Sequence, residues 1–184
     1  ATGVYKAREI KAPGIGLPGI HAALDYLIAA NRKGLGEAVP AFDDGTLDAA
    51  GKDVVVIGGG DTAMDCVRTA VRQGAKSVKC LYRRDRENMP GSMREVKHAE
   101  EEGVEFVWLS APEAFDGKSK VSTAFGHRMR LGARDSPGRG APVKIEDSTF
   151  RLPADLVIKA LGFDPEPLPA LFKAPELAVT DWGT

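Results

Sequence analysis

Residues 54–65 read VVVIGGGDTAMD. The apolar run Asp53–Ile57 has the length of a strand, and its lack of alternation predicts burial on both faces. Gly58, Gly59 and Gly60 end it, and the chain resumes at once as a helix over residues 61–73. Ala63, Cys66, Val67, Ala70 and Val71 recur there at i, i+3, i+4, i+7 and i+8, one continuous apolar stripe. Gly74 follows in the place of a C′ residue, and Ser77–Tyr82 (SVKCLY) reads as a second strand.

Strand, G-x-G-x-x-A, helix, strand is the pattern of a dinucleotide-binding βαβ unit. Gly58 permits the sharp turn. Gly60 carries no Cβ, so a pyrophosphate can approach the backbone. Ala63 is small enough for the helix to pack on the strand. The first-turn amides, Asp61 and Thr62 among them, point where phosphates would lie, and the helix dipole favours negative charge there. Thr62 adds a hydroxyl. The alternative reading is a turn that only reverses the chain.

The second strand ends in Arg83-Arg84-Asp85-Arg86. An NAD site usually places an acid there to bind the ribose 2′-hydroxyl. Guanidinium groups suit a 2′-phosphate instead, by bidentate pairing and by stacking on adenine. The expectation is NADPH, held by Arg83 and Arg84 with Arg86 as a further candidate. Asp85 leaves NAD open, and a solvated basic turn is the bland alternative.

Around this unit, the spacing of Ala23, Leu24, Leu27, Ile28 and Ala30 predicts a helix from Ile20 to about Arg32. Residues 33–51 read as a surface connection. Ser92-Met93-Arg94-Glu95 matches a capping box, with Glu95 as the cap partner of a helix running to about Glu102. Val104–Leu109 reads as a third strand. Stretches near 119–131 and 143–152, split by the turn-rich DSPGRGAP, predict an antiparallel β-meander. Ala154–Ala160 reads as a last buried strand ending at Gly162, and Pro165, Pro167 and Pro169 mark an exit linker. The elements make an α/β fold with a dinucleotide-binding βαβ unit and an antiparallel meander.

With 184 residues, a net charge of −1 and 43% hydrophobic residues, the composition is that of a globular domain and argues against a nucleic-acid or membrane-surface partner. No run approaches the ~18 apolar residues of a membrane-spanning helix. Cys66 and Cys80 form no C-x-x-C pair. Cys66 sits on the apolar helix stripe and reads as a packed thiol, and the pair fits a reducing, cytoplasmic setting. His21, His98 and His127 have no metal-ligand spacing, so no metal site is expected.

The stretch VVVIGGGDTAMDCVRTAVRQGAKSVKCLYRRDRENMPGSMREVKHAEEEGVEF resembles the NADPH-binding domain of the small (β) subunit of bacterial NADPH-dependent glutamate synthase. Dihydropyrimidine dehydrogenase and electron-bifurcating ferredoxin–NADP oxidoreductases share much of the pattern. The opening ATG with KAPG, and ADLVIKALGFDP near the end, resemble the segments where such chains leave and re-enter their FAD domain. The resemblance implies a Rossmann-like FAD/NAD(P)-binding domain whose central parallel sheet carries helices on one side and the meander on the other. It further implies a crossover segment at 1–18, an NADPH-binding domain at 19–162 with its nucleotide core at 52–162, and an exit linker at 163–184. It places Gly58, Gly59, Gly60, Asp61, Thr62 and Ala63 along the pyrophosphate, Arg83 and Arg84 on the 2′-phosphate, and Ala160 and Gly162 near the cofactor. It also implies electron entry. NADPH reduces FAD, and iron–sulfur clusters carry electrons to the large (α) subunit, where glutamate forms from glutamine and 2-oxoglutarate. FAD and the clusters are expected in the longer parent and not in this segment. Hydride transfer needs positioning and no side-chain acid or base, so no catalytic residue is nominated. A related NADPH:flavin electron-transfer protein and a non-catalytic NADP-binding module are the competing readings.

Overall fold

The computed structural model describes residues 6–134 and 138–180. In chain order the elements are β1 (Lys6–Ala7), β2 (Ile20–Ala22), α1 (Ala23–Gly34), α2 (Pro40–Asp43), β3 (Asp53–Ile57) and α3 (Asp61–Arg72), then β4 (Ser77–Leu81), α4 (Met93–Glu101), β5 (Glu105–Val107) and β6 (Ser110–Asp116). They continue with β7 (Thr123–Arg134), β8 (Gly140–Lys144), β9 (Phe150–Pro153), β10 (Leu156–Lys159), β11 (Phe163–Asp164) and α5 (Leu168–Leu171).

All five residues of β3 are buried. It lies at the centre of a parallel sheet of order β2-β10-β3-β4-β5. Successive side chains on a strand point to opposite faces, so each face needs its own cover. Val54 and Val56 pack with Ala63, Cys66, Val67 and Ala70 of α3, with Val96 and Ala99 of α4 and with Tyr26 of α1. Val55 and Ile57 pack on the opposite side with Phe115, Val121 and Ala124 and the half-buried Ile10, Ile15 and Leu17. Helices thus cover one face and the antiparallel sheet covers the other, as the resemblance implies.

That antiparallel sheet is built on the long strand β7. β6 pairs along its first half, β9 pairs with Thr123–Gly126 and β8 with Met129–Arg134. β1 and β11 form a separate two-stranded ribbon, Lys6 opposite Asp164 and Ala7 opposite Phe163. Ala1-Thr2-Gly3, part of the expected crossover, lie outside the described residues. Among the described residues no helix is long and apolar enough to cross a membrane.

Four local expectations change. Ile20–Ala22 is an edge strand paired with β10 rather than the first turn of a helix. Ala22, in extended geometry, enters α1 with no side-chain cap, so no polar residue marks the boundary. The 33–51 connection is not wholly superficial, because Val39 and Leu47 bury themselves against Ala29 of α1. The exit linker contains the short helix α5. The capping box at Ser92 is not made. The Ser92 N–H donates to Asp61 Oδ1 at 3.0 Å, and Glu95 is drawn into an ion pair with Arg68 on α3. Those residues tie α4 to α3 instead of closing a local cap.

Both cysteines are fully buried and unpaired. Burial pushes the Cys80 thiol up to about 12 and raises the Cys66 thiol as well. A thiol reagent such as Ellman's should therefore titrate essentially no thiol in the native protein near neutral pH and both thiols after denaturation. Rapid native labelling at either position would contradict the packing of α3 on β3 and β4.

Candidate nucleotide-binding site

A cleft of about 780 Å³ opens at the carboxyl ends of β3, β4 and β10. Ligands of open α/β sheets bind at this edge. Gly58, Gly59, Gly60 and Thr62 line it from the end of β3, Arg83 and Arg84 from the end of the neighbouring β4, Ala160, Leu161 and Gly162 from the end of β10 on the other side, and Arg139 from just before β8.

The three glycines do three different things. Gly58 has φ +147°, and a Cβ there would collide with the Ala160 carbonyl. Its N–H donates to Leu81 O at 3.1 Å, which fixes the turn to the end of β4. A Cβ on Gly59 would run into the ring of Tyr82, which lies buried beneath it. Gly60 is different. It has φ −93° and ψ 177°, a geometry open to any residue, and a Cβ would meet nothing within 4 Å. Nothing in the chain itself asks for glycine at 60.

Gly60 is also the N-cap of α3 and offers no side-chain acceptor. Its carbonyl takes the amides of Ala63 and Met64. Among the described residues the amides of Asp61 and Thr62 have no carbonyl acceptor, the usual state of a helix's first turn. Asp61 turns its carboxylate to the Ser92 amide, away from the cleft, and Ala63 is fully buried between α3 and the sheet. Gly91 N–H donates to Gly59 O at 2.9 Å, so the residues before α4 brace the outside of the glycine turn.

The two adjacent arginines differ. Arg83 is exposed at the cleft, whereas Arg84, which also lines it, is 4% exposed and donates from Nε to Gly140 O at 2.9 Å. Arg86 is outside the cleft lining and pairs with Glu100 on α4 at 3.0 Å. Asp85, the acid that kept an NAD site open, also stays outside the lining and takes the Asn88 amide and side chain at 3.0 and 2.6 Å.

The cleft's charge contrasts with that of the whole chain. Arg8, Lys11, Arg83, Arg84 and Arg139 line it against the carboxylate of Glu9, which is itself paired with Lys159 at 2.6 Å. Partial burial and then the neighbouring positive charges of Arg84, Arg139 and Arg8 lower the Arg83 pKa from its ordinary value. Arginine remains a cation even so. Such crowding of like charge is relieved by an anion between the groups.

Arg139, Ser110, Arg8 and Lys11 line the cleft without any signal in the strand–glycine–helix motif. They arrive from segments remote in sequence. Tyr82 was legible as the end of a strand, but not as the floor beneath Gly59.

A family model described as pyridine nucleotide-disulphide oxidoreductase matches residues 1–184. The chain is 66% identical to the glutamate synthase [NADPH] small chain of Azospirillum brasilense over 184 residues, which is all of this chain and 38% of that protein. It is 62% identical to a putative glutamate synthase [NADPH] small chain of Cereibacter sphaeroides, covering all of this chain and 44% of that one. The chain thus spans less than half the length of these curated relatives. Among solved structures, FprA of Mycobacterium tuberculosis in complex with NADPH superimposes with a TM-score of 0.72 at 22% identity, over 92% of this chain and 50% of that one. This last likeness is one of fold.

The glycine turn yields a paired prediction. Gly58→Ala should cost about 1–3 kcal/mol or more of stability, because it strains the backbone and meets the Ala160 carbonyl. Gly60→Val should cost about 1 kcal/mol at most, the scale of an altered N-cap. Yet Gly60→Val should abolish dinucleotide binding. Thermal melts beside a nucleotide titration check both, and a Gly60→Val protein that still binds would remove the phosphate from the turn.

Proposed function

This chain belongs to the pyridine nucleotide-disulphide oxidoreductase family, and from that premise we propose that it is the NADPH-binding part of a glutamate synthase small subunit. The observation that carries the reading is the cleft itself. Its lining brings together bare backbone at Gly60, beside a helix N-terminus, and guanidinium groups from the end of β4 and the approach to β8. A dinucleotide with phosphate at both places is the ligand that uses both.

In this reading the amides and hydroxyl at the start of α3 hold the pyrophosphate, and the helix dipole adds to their attraction. Arg83 pairs with the 2′-phosphate. Ala160, Leu161 and Gly162 at the end of β10 support the nicotinamide half. NADPH supplies a hydride, whose acceptor is FAD held by another part of the longer protein. The chain's own contribution is to bind, select and orient. No side chain has to move a proton, which agrees with a lining rich in fixed cations and backbone groups.

Residues 19–162 are then the NADPH-binding unit, with 1–18 and 163–184 leading to and from the FAD-binding part. The partners would be that part of the protein and the large subunit, where glutamate would form, in the cytoplasm; iron–sulfur clusters held outside this chain would supply the one-electron chemistry between them. The identities to glutamate synthase small chains support this assignment.

Calorimetric titration with NADPH and, separately, NADH tests the proposal. NADPH is expected to bind at least tenfold more tightly, the effect of roughly one charge-assisted hydrogen bond. Arg83→Ala should remove most of that preference with little loss of stability, since the side chain is exposed. Arg84→Ala should also destabilise the fold by about 1–3 kcal/mol, because it strips a partner from the Gly140 carbonyl. Equal affinities for the two nucleotides in the unaltered protein would refute the 2′-phosphate assignment.

A further inference from the structure

The β7–β8 hairpin brings to the cleft a guanidinium that the dinucleotide motif does not contain. Its anchorage is specific. Arg84 Nε donates to Gly140 O, 56 positions away in sequence, at 2.9 Å. The Gly140 N–H donates to Asn88 Oδ1 at 3.2 Å. Asn88 is held in turn by Asp85, and its carbonyl accepts the Tyr82 hydroxyl at 3.0 Å. The turn after β4 and the start of β8 are therefore one hydrogen-bonded unit. Arg139, the residue before this anchor, is half-buried and lines the same cleft as Arg83. It is close enough to act on Arg83 through its charge.

We infer that Arg139 is a specificity-determining residue of the NADPH site, pairing with the 2′-phosphate from the hairpin side while Arg83 pairs from the strand side. Arg84 is then a positioning residue. It holds the Gly140 carbonyl and so sets where Arg139 stands. A phosphate dianion between two guanidiniums from different segments satisfies more of its oxygens than either arginine does alone, and it offsets their mutual repulsion. Asp85 contributes to the same selection indirectly. Its carboxylate orients Asn88 and lies outside the cleft lining, so it does not oppose the phosphate.

This inference rests on the reading of the cleft as an NADPH site, and the test separates the two. The protein and its Arg139→Gln and Arg139→Lys variants are titrated with NADPH, NADH and 2′,5′-ADP, a fragment that carries the 2′-phosphate without nicotinamide. Arg139→Gln should weaken NADPH and 2′,5′-ADP by roughly tenfold or more and leave NADH within about twofold. Arg139→Lys, which keeps the charge but not the planar fork, should fall between. The affinity of the unaltered protein for NADPH should rise with pH as the phosphate becomes a dianion near pH ~6, and that rise should be shallower in Arg139→Gln. A merely structural role would weaken NADH as much as NADPH and leave the pH profile unchanged in shape. Either that result or no loss of NADPH binding overturns the inference, although Arg83→Ala would still lower the preference for NADPH. If the unaltered protein does not prefer NADPH, the underlying reading fails on its own.

Discussion

β3 has five consecutive buried residues, Asp53–Ile57, and it ends in a turn that leaves no room for a side chain at Gly58 or Gly59. The first property requires cover on both faces, because Val54 and Val56 point one way and Val55 and Ile57 the other. Helices α1, α3 and α4 supply one layer. The antiparallel sheet and the loop before β2 supply the second. The second property places the carboxyl edge of the sheet against bare backbone. Architecture and site thus share one origin, a buried strand that stops at Gly58.

The cleft shows how a nearly neutral chain makes a strongly cationic place. Its positive residues come from the segment after β1, the end of β4 and the start of β8, and the acids near them are turned to other work. Asp61 holds the Ser92 amide, Asp85 the Asn88 group, and Glu9 the ammonium of Lys159. Redirecting carboxylates is as much a part of the electrostatics as gathering arginines. The ordered acids also fasten the loops that form the walls.

Much of this was legible in the order of residues. The apolar run, the glycine triplet and the stripe from Ala63 to Val71 are local signals, and they give β3, the turn and α3 nearly to the residue. The meander could be read from turn residues and alternation. Signals failed where a contact between distant segments decided the outcome. Ile20–Ala22 becomes a strand because β10 lies beside it, and its sequence alone carries no boundary before α1. Ser92 and Glu95 satisfy a local pattern but are used by Asp61 and Arg68 on another helix. Arg83 and Arg84 are neighbours in sequence and both line the cleft, yet Arg83 is exposed there while Arg84 is buried and also anchors the hairpin. Arg139 sits in a turn with no motif, and only its meeting with the β4 end gives it meaning.

The sheet order has a consequence for the route by which the molecule forms. β10 lies between β2 and β3, although it enters the chain after the whole antiparallel sheet. Until it arrives, β2 has no neighbour and one edge of β3 is open. In sequence, α3 to β9 separate β3 from the strand that pairs with its second edge. Such non-local closure slows folding and exposes an edge to misassociation. When β10 inserts, it completes the central sheet and brings Ala160 against Gly58, so the last strand to reach the sheet also finishes the wall of the cleft.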